Sequence, residues 1–152
     1  MIQRVQSIWL FLASLILFLL LILPILTKQG VNGALWLQVG GLYQKTNNIT
    51  QQIQSLPVAF GGTIFIGVIC LINIFNFKNR TLQKRIILLA ILLIIALVIY
   101  LGVYTQKIPG GFEGVTFNVG TYLPVASIVF CALAYRGIRK DEQLIRSADR
   151  LR

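Results

Sequence analysis

Lys78-Asn79-Arg80-Thr81-Leu82-Gln83-Lys84-Arg85 separates two apolar runs, Pro57 to Phe77 and Ile86 to Tyr104. Each run is about 20 residues, and a helix of that length, rising ~1.5 Å per residue, crosses a hydrocarbon core of ~30 Å. Four cations in this short connection are a positive-inside signal, so the two runs read as a membrane hairpin with its turn in the cytoplasm. The flanking segments must follow that orientation.

Working outward, Ile8 to Leu26 is a further apolar run with Arg4 ahead of it, and Val119 to Tyr135 is another with Arg136 and Arg139 behind it. The first run exceeds the apolar core of a signal peptide, and no small-x-small cleavage site follows Pro24, so it reads as a retained helix. The expected spans are therefore 8–26, 57–77, 86–104 and 119–135, with a cytoplasmic tail at 136–152 and both termini inside. A hydrophobic content of 57% and a mean hydropathy of +0.81 place the chain outside the usual make-up of soluble domains.

Of the 14 lysines and arginines, eleven fall on the side of the basic turn, and only Lys28, Lys45 and Lys107 fall on the other. Membrane insertion accounts for this pattern, because anionic headgroups attract juxtamembrane cations at roughly 1 kcal/mol each. No nucleic-acid partner is needed. The chain has no histidine, its acids are Glu113, Asp141, Glu142 and Asp149, and Cys70 and Cys131 lie inside apolar runs. Neither a metal site nor a cofactor is expected from that set. The cysteines read as small packing residues at similar depth, neighbours without a bond.

The polar stretch Thr27 to Ser55 contains Leu35-Trp36-Leu37-Gln38-Val39, then Gly40-Gly41, then Leu42-Tyr43-Gln44-Lys45, which predicts two short strands about a glycine turn. Thr46 to Gln52 reads as turn. After Pro109-Gly110-Gly111, the stretch Phe112 to Val119 is expected to hold a turn followed by a short strand, and a hairpin alone is marginal in water. The two outer loops should thus join in one small sheet, with Trp36 packed under it at the membrane boundary. In the second span Ala59, Thr63 and Gly67 recur at four-residue spacing, a small-residue face for close helix packing.

Wound as a helix, the tail places Ile138, Leu144, Ile145, Ala148 and Leu151 on one face and Arg136, Arg139, Arg146 and Arg150 on another. Asp141 falls among the apolar residues, and a buried carboxylate there needs a partner; Arg4, Lys84 and Arg85 are the nearest cations. Gly137 can bend the chain between span and tail. Two readings follow: a tail docked under the bundle, or an amphipathic helix lying on anionic lipid.

The two ends, Met1-Ile2-Gln3-Arg4-Val5-Gln6-Ser7 and Arg139-Lys140-Asp141-Glu142-Gln143-Leu144-Ile145-Arg146-Ser147-Ala148-Asp149-Arg150-Leu151-Arg152, resemble those of an uncharacterised bacterial family of small four-helix membrane proteins, a domain of unknown function typical of the Bacteroidetes. That resemblance implies a multi-pass protein of the inner (cytoplasmic) membrane and supplies no activity. A looser likeness in architecture is to the claudin-type four-helix proteins, through Trp36 and Gly41-Leu42-Tyr43, although the paired outer-loop cysteines of that group are missing here.

The expected fold is an all-α membrane protein, a bundle of four transmembrane helices with a small extracytoplasmic sheet from the two outer loops and a cytoplasmic amphipathic C-terminal helix. The expected role is a non-catalytic accessory or scaffold protein, working through the tail and outer loops on membrane lipids, another membrane protein or further copies of itself. An oligomeric transporter or channel component is the alternative; such proteins keep polar groups at mid-membrane depth, whereas here the middle of every span lacks charge, so a pore would have to be made by oligomerisation. A membrane enzyme ranks third, because no nucleophile, base and acid gather in the sequence.

Overall fold

The computed structural model describes residues 3–30, 33–46, 49–106 and 113–149. Helix α1 is Gln3–Leu20, α2 Pro57–Phe75, α3 Arg80–Gln106 and α4 Val119–Asp149. Strands β1 Leu26–Gly30, β2 Gly33–Gln38, β3 Gly41–Thr46 and β4 Ile49–Ser55 follow α1, and β5 Val115–Phe117 precedes α4. All five strands pair antiparallel in one sheet, in the order β4-β3-β2-β1-β5.

The expected all-α bundle of four spans is therefore corrected on two counts. A five-stranded sheet forms a layer of its own. Three helices are long and apolar enough to cross a membrane, namely α2, α3 and the Val119–Leu144 part of α4, whereas the apolar part of α1, Val5–Leu20, is shorter. Pro24 explains the early stop, because it has no N–H to donate and biases the residue before it away from helix. The last turn tightens instead, with the Leu21 and Ile22 amides donating to the Phe18 and Leu19 carbonyls at 3.1 Å each.

The predicted hairpin about Gly40-Gly41 is present as β2 and β3, and β5 joins the sheet through β1, so the two loops do form one sheet. Gly41 is required there, since a Cβ would sit 2.3 Å from the Gln54 carbonyl oxygen. Two strands escape the sequence reading: β1, of which Leu26 is expected in the first span and Thr27 to Gly30 in the polar loop, and β4, expected in large part as a turn. Trp36 also departs from expectation. Leu26, Leu37 and Leu42 are register partners and buried, so one sheet face packs on the helix ends. Trp36, adjacent to Leu37, points from the opposite face and stacks on Tyr43 at 6.1 Å.

The helices run up and down, with α1 packed on α2 and α4, and α3 on α2 and α4. One core cluster fills the bundle around Leu10, Leu17, Ile66, Ile94 and Cys131. A second, with Leu20, Leu37, Leu42, Leu56, Leu97 and Leu101, welds sheet to bundle. Apolar contact alone does little to hold helices together in lipid, so interhelical hydrogen bonds count for about 0.6–2 kcal/mol each. Ser14 donates to the Gly67 carbonyl at 2.9 Å and Ser127 to the Ala13 carbonyl at 3.2 Å, gripping the middle of α1 from both sides.

Most of the basic stretch is helical rather than a turn. A 3-10 turn, Asn76–Lys78, suffices to reverse the chain, and the Asn79 side chain caps α3 by accepting from the Leu82 amide at 3.2 Å. Nor does Gly137 bend the chain, because α4 continues unbroken past it.

Where α1 gives way to the sheet, the Gly120 amide donates to the Pro24 carbonyl at 3.2 Å, and a Cβ on Gly120 would lie 2.5 Å from that oxygen. Gly120→Ala should therefore cost about 1–3 kcal/mol, read as a lower Tm in detergent. An unchanged Tm would show that this approach is not made.

Candidate functional site

Four of the buried polar side chains, Gln6, Asn73, Gln83 and Asp141, lie at the basic end of the bundle, one from each helix. Asn73 and Gln83 close the α2–α3 connection: each side-chain amide donates to the other's backbone carbonyl at 3.2 Å. The Gln6 amide Nε2 donates to Asp141 Oδ2 at 2.5 Å, a charge-assisted bond between α1 and α4. Asp141 Oδ1 and Asn73 Oδ1 are buried and, among the described residues, accept no hydrogen bond.

Next to Asp141, Glu142 forms an ion pair with Lys84 of α3, their side chains 23% and 20% exposed. The extension of α4 is thus tied to α1 through Asp141 and to α3 through Glu142. Gly137 makes room for the first tie, since a Cβ there would meet Gln6 Cγ at 3.0 Å. Ile138 and Asp141 pack inward one turn apart, while Arg136, Arg139 and Lys140 are exposed, as is Arg85 at the start of α3. A layer of internally bonded polar groups therefore carries an outer rim of cations.

Two apolar grooves open between helices. One, about 320 Å³, lies between Gly62 and Phe65 of α2 and Leu93 and Ala96 of α3; the other, about 310 Å³, lies between Phe18 of α1 and Leu71 of α2. Among the described residues no three of His, Cys, Asp and Glu come together as a metal site.

The family model of a domain of unknown function, DUF4293, matches residues 2–151. The chain belongs to the DUF4293 family. No curated protein matches it.

In this DUF4293 chain the hydrogen-bond partner of Asp141 among the described residues is an amide rather than Lys84 or Arg85. The donor is Gln6; Lys84 is engaged by Glu142, and Arg85 is exposed. The side chains of Arg4 and Arg146, and all of Arg150, lie outside the described residues. Of the expected cationic stripe, Arg136 and Arg139 stand exposed on the same helix. Leu144, expected on the apolar face of the tail, is 50% exposed, and the side chains of Ile145 and Ala148, with all of Leu151, lie outside the described residues.

The small-residue face of the DUF4293 helix α2 is placed as its spacing implied. Ala59, Thr63 and Gly67 are buried, and a Cβ on Gly67 would meet the Phe18 ring of α1 at 3.1 Å. Thr63 turns its hydroxyl back to the Ala59 carbonyl at 2.8 Å, which frees the face of unpaired donors. Cys70 and Cys131 are buried, within hydrogen-bonding reach of each other, and not joined in a disulfide. Gln6 and Gln83 carry no role in the sequence reading, and Glu142, which i,i+4 spacing pairs with Arg146, pairs here with Lys84. Gln83 stands three positions ahead of the Ile86 run and Gln6 two ahead of the Ile8 run, and a polar residue so close to an apolar run was the available signal.

Removing either partner of the Gln6–Asp141 bond strands the other in a buried site. Asp141→Ala and Gln6→Leu should each cost about 1–3 kcal/mol, with strong coupling in a double-mutant cycle. The Lys84–Glu142 cycle should give less than about 1 kcal/mol, because solvent reaches that pair. Unfolding in detergent measures both; equal couplings would contradict this ranking.

Proposed function

We propose that this DUF4293 protein is a non-catalytic accessory or scaffold protein of the bacterial inner membrane, with its basic end and both termini in the cytoplasm and its sheet outside. The observation that carries the reading is the anchored α4 extension, which holds Arg136 and Arg139 exposed on a helix tied to the bundle by Gln6–Asp141 and Lys84–Glu142. A surface that is already ordered loses little conformational freedom on binding, so even a few ionic contacts yield useful affinity. Its occupant is anionic, either lipid headgroups or an acidic face of a neighbouring membrane protein. The eleven cations at this end against three at the other support the orientation.

The test is purification from native membranes in mild detergent, comparing the parent chain with Arg136→Gln/Arg139→Gln. A co-purifying protein or anionic phospholipid should fall several-fold in the variant while Tm stays unchanged. Loss of a protein identifies the scaffold role and loss of lipid identifies lipid anchoring. Identical co-purifying sets from both chains would overturn the reading.

A further inference from the structure

Strand β4 is the outer edge of the sheet, with β3 on one side and, among the described residues, no strand on the other. All seven of its residues are exposed, including Ile49 at 62% and Ile53 at 53%. Exposed edges in soluble surroundings are normally blunted by charge, proline or brevity. The run Ile49-Thr50-Gln51-Gln52-Ile53-Gln54-Ser55 has no charge and no proline, whereas the other edge, β5, is only three residues long. A bulge leaves Ile53 without a partner on β3, but Ile49 to Gln52 keep regular register with Thr46 to Tyr43.

We propose that β4 is a dimerisation edge, on which a second copy of this chain lays its own β4 antiparallel, continuing the sheet across a two-fold axis. The proposal rests on the reading that the sheet stands outside a bilayer which both copies share. Geometry favours a second copy. The two-fold axis relating two antiparallel strands of one sheet is perpendicular to that sheet, and here the face bearing Leu26, Leu37 and Leu42 lies on the helix ends. The axis therefore runs along the bundles, which keeps both copies upright in one membrane. Parallel pairing would turn one copy over. An uncharged strand also meets itself without repulsion, and the resulting contact is self-complementary. With the axis at Gln51, Ile49 of each copy lies opposite Ile53 of the other, covering the two exposed apolar side chains.

The test is oxidation of native membranes carrying Gln51→Cys, read on a non-reducing gel; Cys70 and Cys131 are 1% and 0% exposed and do not interfere. A disulfide-linked dimer is expected from Gln51→Cys and none from Lys45→Cys on β3. Adding Ile49→Lys, which brings cations against the second copy, should abolish the band. Absence of a dimer from every cysteine placed singly at 49 to 54 would overturn the proposal. An impermeant maleimide applied to intact cells checks sidedness separately: labelling only after lysis would sink the orientation reading, while the gel still decides the dimer.

Discussion

The structure depends on how the chain satisfies its backbone where α1 stops. A chain leaving a helix at the membrane boundary has polar groups that hydrocarbon cannot satisfy. Here the Ile25 amide donates to the Leu37 carbonyl at 2.8 Å, and the Ile25 carbonyl accepts from the Asn118 amide at 3.0 Å and the Thr121 hydroxyl at 2.6 Å. The Pro24 carbonyl accepts from Gly120. Two consecutive residues thus join α1, the hairpin and the start of α4. The sheet is a consequence of this junction, since β1 starts at Leu26, directly after it, and has β2 on one side and β5 on the other.

The opposite end is organised by the same requirement with different groups. There α1 is joined to α4 by the Gln6–Asp141 bond and α2 to α3 by the Asn73 and Gln83 amides on each other's backbone carbonyls, and exposed cations stand around these pairs. Gly120 and Gly137 are counterparts: each removes a Cβ so that α4 can approach a segment next to α1 or α1 itself. Both ends of the longest helix are thereby fixed to the first. This is why its basic extension can serve as a positioned surface rather than a loose tail.

Apolar runs, the glycine hairpin, the Val115 strand and the Ala59, Thr63, Gly67 face were legible because each has a local signature in spacing or composition. Strand β4 was not, because neither face of Ile49 to Ser55 is buried and no alternation marks it; only its pairing with β3 makes it a strand. Strand β1 was hidden by apolar Ile25 and Leu26, which belong to the second core cluster and look like more of α1. At the basic end, Asp141 was recognisable as a misplaced carboxylate, but its partner was sought among cations. An amide 135 residues away gives no sign in the sequence that it will be the donor, and Lys84 was free to choose Glu142.

The Pro24–Ile25 junction locks α1, the sheet and α4 into one unit. Amide hydrogen exchange of the protein reconstituted in lipid bilayers tests it most directly. The account predicts that the Ile25 and Asn118 amides exchange slowly and together, as protected as those of the helix cores. Rapid exchange at both, with the helices still protected, would contradict it.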